Sequence, residues 1–450
     1  MSRPTDVYAV SERTGTDKMT PCCKEAMKVE RLTLSKDAVS YGVVRPLVEH
    51  LRPVAATMTK NLFSSDICGR SGSHRARSGA ACAAVIALAS LAVLGVGAGD
   101  AQPPTLSPGA SAPDFCLPGV DGRTYSLRDF AAARALVVVF TCNHCPTAQY
   151  YEGRLEQLVS DYRDKGVALV AISPNDPHSV RLDELGWTDL GDSFAEMKLR
   201  AKDRQFSFPY LYDGETEEAS RAYGPVATPH VFLFDGERKL RYVGAIDDSE
   251  RIQHVKVRYL RDALDAVLAG KTPPVAQTKV VGCSVKWAGK SDAVKAFMDK
   301  LAAEPVSLET ADADALTKLR AGNPARFRLV TFWATWCAPC VAEFEEFVTI
   351  HRMYRHREFE LVTVSMNRPE ERLRVLDFLK QKQASNRNLI FATDDRTSLI
   401  DAFDPDWQGV VPYTVLLSPE GKVLYRQTGS IDPLALRRAI VRSLNERKPW

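Results

Sequence analysis

The sequence predicts an α/β protein made of two copies of one fold unit in series, each a central mixed β-sheet flanked by helices. One pattern occurs twice: an uncharged apolar run, a Cys-x-x-Cys, and a stretch with apolar residues three and four positions apart. The run is typical of a buried strand, and the spacing is typical of one face of a helix. In each copy a later Pro precedes a β-rich run. The repeated pattern therefore indicates an internal duplication.

The C-terminal copy carries the stronger signal. An uncharged, largely apolar run that starts at Leu329 predicts a strand at 328–335, and the residues after Cys340 predict a helix to about Arg355. The first thiol, Cys337, is thereby placed at a helix N-terminus, where unpaired N–H groups and the helix dipole favour a thiolate. Such a Cys-x-x-Cys in a β/α setting is typical of a redox site. The other elements predicted here are helices at 293–302, 314–319, 370–382 and 433–444, and strands at 360–365, 413–417 and 423–426.

The N-terminal copy repeats the arrangement around Cys142 and Cys145. A β-branched run at 135–141 predicts a strand, and the apolar residues up to Tyr162 predict a helix. Asp-Gly pairs between short apolar runs predict hairpin turns. The other elements predicted are a hairpin at Asp121-Gly122, strands at 167–173, 231–234 and 240–243, and helices at 194–204 and 255–268.

Composition excludes several classes of protein. A chain of 450 residues predicts two to three domains, and 45% hydrophobic with 26% charged residues is ordinary for a globular protein. A net charge of +3 without a basic stripe argues against nucleic-acid binding. Ten cysteines in a chain this long do not make a disulfide framework.

Four regions divide the chain. Residues 1–78 lack apolar periodicity and are predicted to be a disordered or non-natural extension, residues 79–101 a signal peptide or signal anchor, residues 102–288 the N-terminal domain, and residues 289–450 the C-terminal domain.

The apolar run at 79–98 predicts export. It follows basic residues and ends in small residues, as secretory signals do, although about 20 apolar residues could also anchor the chain in a bilayer. Because signal peptides start chains, translation is expected to begin later, for example at Met58. The basic flank on the N-terminal side puts everything after the run outside the cytoplasm in either case. The predicted location is the periplasm or another extracytoplasmic space.

Both domains resemble the thioredoxin superfamily. In the C-terminal domain, Phe-Trp-Ala-Thr-Trp-Cys-Ala-Pro-Cys at 332–340 and Gly-Val-Val-Pro-Tyr-Thr-Val at 409–415 are similar to exported TlpA-like thiol–disulfide oxidoreductases. In the N-terminal domain, Cys-Asn-His-Cys-Pro at 142–146, Thr-Pro at 228–229 and Gly-Cys-Ser-Val-Lys-Trp at 282–287 resemble redoxins with thioredoxin-like and peroxiredoxin-like features.

The resemblance implies a geometry around each motif. Pro229 and Pro412 are expected to follow cis peptide bonds and to lie against their Cys-x-x-Cys motifs. Each would then expose a backbone edge where a substrate strand can pair.

Both domains depart from the family pattern. The buried Asp of thioredoxins is replaced by Leu136 and Thr331, so proton transfer must use another group or water, and Glu343 is one candidate in the C-terminal domain. The Thr or Ser that precedes the peroxidatic Cys of peroxiredoxins by three residues is replaced by Val139. This weakens a peroxidase assignment.

The chemistry assigns roles to the four motif cysteines. An exposed thiolate attacks a substrate disulfide and a second thiol one helical turn away resolves the mixed disulfide. The predicted attackers are Cys337 and Cys142, and the predicted resolving residues are Cys340 and Cys145. The two motifs lie in different halves of the chain, unlike the paired motifs of a zinc site, and neither is followed by the His of a haem attachment site.

Residues next to the cysteines are expected to set the redox potential of each site. Pro339 gives no special reason to favour the reduced form, whereas His144 is expected to lower the pKa of Cys142. Stabilising the reduced form of a cysteine pair raises its reduction potential. The N-terminal pair is therefore predicted to have the higher potential and to accept electrons from the C-terminal domain. Trp336 is predicted to shape a substrate surface, and Trp333 to be core.

Three functions follow, in order of preference. The first is an exported thiol–disulfide oxidoreductase that acts on protein thiols, with a possible membrane or periplasmic electron donor and without nucleotide, flavin or metal. The second is a thiol peroxidase in the N-terminal domain. The third is a Cu(I) chaperone that uses Cys142 and Cys145 as soft ligands. Cys283 is interpreted either as a buried small side chain or as an extra resolving thiol.

Overall fold

Two mixed β-sheets organise the computed structural model, which describes residues 102–447. The interpretations of residues 1–78 and 79–101 lie outside the described residues. In the described part of the chain, no helix is both long and apolar enough to cross a membrane.

The N-terminal domain contains a five-stranded sheet and two small two-stranded sheets. The five strands lie in the order β5-β4-β3-β7-β8, and the small sheets pair β1 with β2 and β6 with β9. In chain order the elements are β1 (Cys116–Pro118), β2 (Thr124–Ser126), β3 (Ala135–Phe140), α1 (Pro146–Tyr162), β4 (Val167–Ser173), α2 (Phe194–Arg204), β5 (Tyr210–Tyr212), α3 (Glu218–Tyr223), β6 (Ala227–Thr228), β7 (His230–Asp235), β8 (Leu240–Gly244), α4 (Tyr259–Leu268) and β9 (Cys283–Ser284).

Strand β3 is central because both its faces are covered. It pairs with β4 in parallel and with β7 antiparallel, and all six of its side chains are fully buried. Successive side chains of a strand point to opposite faces. Val137 and Val139 accordingly pack in one apolar cluster, while Val138 and Phe140 pack in another. This strand leads directly into the first Cys-x-x-Cys.

The C-terminal domain contains a six-stranded sheet in the order β10-β13-β12-β11-β14-β15. Its central strand β11 pairs with β12 in parallel and with β14 antiparallel, as β3 does with its neighbours. In chain order the elements are α5 (Ser291–Ala302), β10 (Glu309–Ala311), α6 (Ala313–Arg320), β11 (Phe327–Trp333), α7 (Ala338–Tyr354), β12 (Phe359–Ser365), α8 (Arg372–Gln381), β13 (Arg387–Phe391), α9 (Arg396–Phe403), β14 (Tyr413–Leu417), β15 (Val423–Thr428) and α10 (Pro433–Arg447).

The predicted fold class is confirmed, with one helix boundary wrong. The helix predicted over 255–268 begins only at Tyr259. The Asp248 side chain accepts the Lys256 N–H, and the Asp248 N–H donates to the Val257 carbonyl, so these residues hold a loop instead of a helical turn. The sequence analysis did not predict strands β5, β6, β9, β10 and β13 or helices α3 and α9.

The two domains pack against each other within one compact unit. The hydroxyl of Tyr354 in α7 donates to the Thr188 carbonyl at 2.9 Å, in a buried position. Arg357 donates to the Gly186 carbonyl at 2.7 Å and lies over the ring of Trp187. The long connection before α2 therefore contacts the C-terminal domain, and α2 does so too, since Asp203 pairs with Arg438.

Candidate redox sites

The C-terminal site has its first cysteine at the end of a helix, as predicted. Helix α7 begins at Ala338, and Cys337 is its N-cap residue, with Sγ accepting the Cys340 N–H at 3.3 Å. Pro339 lies in the first turn, where its missing N–H costs no helical hydrogen bond. Cys337 and Cys340 form a disulfide.

An exposed apolar surface surrounds this disulfide. Trp336 is 51% exposed and Val410 54% exposed. Val411 packs against the cluster that contains Cys337 and Cys340, and the Val411–Pro412 peptide bond is cis. In the part of the chain that the structure describes, no strand pairs with residues 409–411. The backbone edge at Val411 is therefore free of a paired strand, while the Val410 carbonyl accepts the Trp407 indole N–H at 2.9 Å.

The residues below the disulfide are structural. Trp333 is 1% exposed and packs on Phe344 and Phe378, which confirms its interpretation as core. Thr331 shares a hydrogen bond with the Thr414 hydroxyl at 3.1 Å.

Glu343, the candidate proton acceptor, binds the backbone just before α10. It accepts the Ile431 N–H at 3.0 Å with one carboxylate oxygen, while the other oxygen is buried without a described partner. Burial raises the pKa of this carboxyl. The described hydrogen bonds do not join it to either sulfur.

The N-terminal site differs in where its helix begins. Helix α1 starts at Pro146, and the second cysteine, Cys145, is the N-cap residue. The prediction that Cys142 lies at a helix N-terminus is therefore wrong. Pro favours the first helical position and keeps the preceding residue extended, so a Pro after the motif delays the helix. Cys145 accordingly has φ −70° and ψ 115°.

Asp192 holds the two residues between the cysteines. Its Oδ1 accepts the N–H groups of Asn143 at 2.9 Å and His144 at 3.0 Å. Its Oδ2 lies 2.5 Å from His144 Nδ1 and accepts Asn175 Nδ2 at 2.7 Å. Four hydrogen bonds to one buried carboxylate thus replace the helical turn that the C-terminal site forms.

Three thiols meet at the N-terminal site. The Cys142 Sγ lies 3.1 Å from the Thr228 hydroxyl, and the Cys145 Sγ lies 3.1 Å from the Thr228 carbonyl, to which its thiol donates. The backbone N–H of Cys283 donates to the Cys145 Sγ at 3.3 Å. Cys142, Cys145 and Cys283 are free, and Cys283 packs against the other two. The three cysteine side chains therefore form one cluster.

The surroundings favour ionisation of Cys145 over that of Cys142 and Cys283, and the Cys145 thiol donates to the Thr228 carbonyl only while it is protonated. Burial raises the pKa of Cys142, and the hydrogen bond to Cys145 adds to this shift. Burial also opposes ionisation of Cys145, but hydrogen bonds from Cys142 and Cys283 hold its pKa well below the usual value. The hydrogen bond to Cys145 raises the pKa of Cys283.

His144 is paired with Asp192, and the pKa of Cys142 is raised, whereas the prediction was that His144 would lower it. Its Nδ1 is 3.5 Å from the Cys142 Sγ but 2.5 Å from Asp192. Burial disfavours the imidazolium, yet Asp192 raises the pKa of His144. The charge of His144 in turn favours the Cys145 thiolate. The His144 Nε2 is buried without a partner among the described residues.

A soft metal ion is one further ligand that the cluster could hold. The ligand atoms of Cys142, His144 and Asp192 lie within 4.8 Å of one another. However, both oxygens of Asp192 already accept two hydrogen bonds each. The donors that remain are sulfur atoms and imidazole, which are ligands that suit Cu(I) better than a hard cation.

Sequence reasoning missed Asp192, Asn175 and the place of Thr228. The Gly-Asp-Ser before α2 indicates only a helix start, and Ser193 is indeed its N-cap residue. The one available signal was the length of the connection at 174–208. The peptide bond before Pro229 is cis, as implied.

Comparisons with known proteins find a separate family match in each half of the described chain. Residues 108–243 match the AhpC/TSA family and residues 290–439 match the Redoxin family. The chain is 31% identical over 102 residues to the thiol-disulfide oxidoreductase ResA of Bacillus subtilis, covering 23% of this chain and 52% of that protein. It is 31% identical over 75 residues to a putative peroxiredoxin of Mycobacterium tuberculosis, covering 17% and 48%.

The chain spans about half the length of these curated relatives. Among solved structures, a hypothetical protein of Sinorhizobium meliloti 1021 shares 34% identity with a TM-score of 0.37, covering 42% of this chain and 98% of that chain.

Proposed function

Because the chain belongs to the thioredoxin superfamily, with an AhpC/TSA domain followed by a redoxin domain, we propose that it is a thiol–disulfide oxidoreductase of protein thiols with two Cys-x-x-Cys sites. The observation that carries the proposal is Cys337 at the N-cap of α7 beside the backbone edge at Val411, which is free of a paired strand among the described residues. An extended substrate segment can pair with such an edge through its main chain.

The C-terminal site exchanges disulfides with the substrate. In the reduced form, the N-terminus of α7 stabilises the Cys337 thiolate, which attacks a substrate disulfide and releases one substrate thiol. The Cys340 thiol then attacks the mixed disulfide, so that the Cys337–Cys340 bond forms and the second substrate thiol leaves. Exposed Trp336 and Val410 offer apolar contacts to the bound segment.

Trapping tests this function. A Cys340→Ser variant lacks the resolving thiol and should retain substrate proteins as mixed disulfides at Cys337, which mass spectrometry identifies. Cys337→Ser/Cys340→Ser is the matched control. Equal recovery of partners from both variants would refute exchange at this site.

In this proposal an external dithiol protein reduces the C-terminal disulfide again, and the reduced C-terminal site then passes its two electrons either to a substrate disulfide or to a Cys142–Cys145 disulfide. The hydrogen bond that the Cys283 N–H donates to the Cys145 Sγ favours the reduced form of the N-terminal site, and a stabilised reduced form raises the potential by about 30 mV for each 1.4 kcal/mol. The two potentials are measured on the full chain in glutathione buffers, by alkylating each pair of cysteines and digesting. An N-terminal potential equal to or below the C-terminal one would reverse or abolish the relay.

A thiol peroxidase is the second candidate for the N-terminal domain. The hydroxyl of Thr228, 3.1 Å from the Cys142 Sγ, supplies the group that the sequence lacks at Val139. Burial of Cys142 raises its pKa and argues against attack on peroxide. Hydrogen peroxide consumption with a dithiol reductant that is lost in both Cys142→Ser and Thr228→Val would favour this candidate.

Export is part of the proposal and rests on the sequence at 79–98 alone. We expect the full chain, expressed in a Gram-negative host, to be released by osmotic shock or to remain with the membrane fraction. N-terminal sequencing then distinguishes cleavage from anchoring. Recovery in the cytosol with an intact N-terminus would contradict export.

A further inference from the structure

The backbone edge before Pro229 is occupied by the chain itself. Strand β9 pairs antiparallel with β6, with Cys283 opposite Thr228 and Ser284 opposite Ala227. A substrate segment would pair at this position by main-chain hydrogen bonds. The corresponding edge before Pro412 in the C-terminal domain has no such strand among the described residues. The expectation of a free edge therefore fails in the N-terminal domain.

The strand also places a sulfur atom where a substrate would place one. The Cys283 N–H donates to the Cys145 Sγ at 3.3 Å, and the Cys283 side chain packs against Cys142 and Cys145. Gly282 allows this approach, because a Cβ at this position would lie 2.0 Å from the Thr228 carbonyl oxygen. The segment fits the edge closely only with glycine at this position.

Residues after Cys283 hold the segment in register. Val285 is buried, and the Lys286 N–H donates to Asn175 Oδ1 at 2.9 Å. The Lys286 ammonium lies 2.6 Å from Glu184. Asn175 also binds Asp192, so the same network positions both sides of the site.

We propose that residues 282–285 form an internal substrate strand and that Cys283 is a third redox thiol, which exchanges with Cys145. When Cys142 and Cys145 are joined in a disulfide, the Cys283 sulfur loses its proton and attacks the Cys145 sulfur. The Cys145–Cys283 bond forms as the Cys142–Cys145 bond breaks, and Cys142 leaves as a thiolate that takes up a proton. The number of disulfides is unchanged, so this step needs no further oxidant.

The consequence is a closed site with two disulfide states. Cys145 provides the sulfur atom common to both, in agreement with the hydrogen bond that it accepts from the Cys283 N–H and with its packing beside Cys142. The inference rests on the proposed function only for the reaction that forms the Cys142–Cys145 disulfide. An external protein reaches Cys145 only when the internal strand leaves the edge, which makes the strand a competitor of substrates at this site.

The test equilibrates the full chain in glutathione redox buffers, quenches with acid, blocks free thiols and digests with trypsin without reduction. Cys142 and Cys145 fall in the peptide 135–154 and Cys283 in the peptide 280–286, so a Cys145–Cys283 bond joins these two peptides. We expect the joined peptides in the wild type, their dominance in Cys142→Ser, and their absence from Cys145→Ser. Cys116→Ser is the control and should match the wild type.

A second pair of variants tests the fit of the strand. Gly282→Ala should displace the strand and lower the joined peptides roughly tenfold, which is the effect of one overpacked contact. Gly153→Ala, which meets no atom within 4 Å, should leave them unchanged. Only glutathionylated or free Cys145 in a folded Cys142→Ser chain would overturn the proposal.

An insulin reduction assay separates this inference from the proposed function. Insulin reduction through Cys337 without joined peptides would remove the role of Cys283 and leave the proposed function standing. Joined peptides without insulin reduction would support the role of Cys283 and refute the proposed function.

Discussion

Thr228 and Cys283 lie opposite each other in an antiparallel pair of strands, whereas no described strand lies opposite Val411. The two sites therefore differ in access although they share a fold. After full reduction, we expect a maleimide to modify Cys337 before Cys142 and Cys145. The measurement is a time course of labelling, read by mass spectrometry of the tryptic peptides. Equal rates at the two sites would mean that the internal strand does not limit access.

The Asp192–His144 pair predicts a stability that depends on pH. The pKa of Asp192 is lowered, so its contribution is present above its unfolded pKa of about 4 and is lost as the pH falls through the folded pKa. The pKa of His144 is raised, so its contribution is present below about 6.5 and is lost as the pH rises through the folded value. Asp192→Asn should lose about 3 kcal/mol of unfolding free energy near pH 5.5 and less at pH 9. Urea denaturation at both pH values measures it.

A matched control is Asp235→Asn. Asp235 pairs with Arg241 on a hairpin and has a lowered pKa, but it faces no His in the described hydrogen bonds. The loss of unfolding free energy in Asp235→Asn should be the same at pH 5.5 and pH 9. If both variants respond to pH alike, the pairing of Asp192 with His144 does not account for the difference.

The two tryptophans before Cys337 should respond in opposite ways. Trp333 is buried against Phe344 and Phe378, so Trp333→Ala should cost about 3–5 kcal/mol of unfolding free energy. Trp336 is exposed, so Trp336→Ala should leave the unfolding free energy within about 0.5 kcal/mol. It should instead slow insulin reduction while sparing a small disulfide such as oxidised glutathione. Loss of both activities would place Trp336 in the chemistry and not in substrate contact.

Removing the hydrogen bond between the two domains should lower the unfolding free energy by less than Trp333→Ala does. Tyr354→Phe removes the hydrogen bond to the Thr188 carbonyl and leaves that buried oxygen unpaired, which should cost about 1–3 kcal/mol. Urea denaturation followed by fluorescence measures the change. Tyr425→Phe is the control, because the described hydrogen bonds do not include the Tyr425 hydroxyl. A cost no larger than that of the control would show that the contact contributes nothing to stability.

Local sequence patterns predicted the elements that carry the cysteines. The buried runs of β3 and β11 and the helical spacing of α1 and α7 are strong signals, because they extend over many residues of one period. Strands β5 and β10 have three residues each and β13 five. Such strands form because a neighbouring strand offers hydrogen bonds, and that neighbour is distant in sequence. Local sequence patterns therefore could not predict β5, β10 and β13.

The amino-acid sequence by itself determined the duplicated α/β unit, the four motif cysteines and the superfamily, because each depends on residues close together in the chain. Only the tertiary structure decided that Cys145 and not Cys142 caps its helix, that Asp192 pairs with His144, and that Cys283 covers the edge before Pro229. Asp192 and Cys283 lie 48 and 138 residues from their partners His144 and Cys145. Such distant contacts depend on how the sheets and the connections between them pack, and no local periodicity encodes that packing.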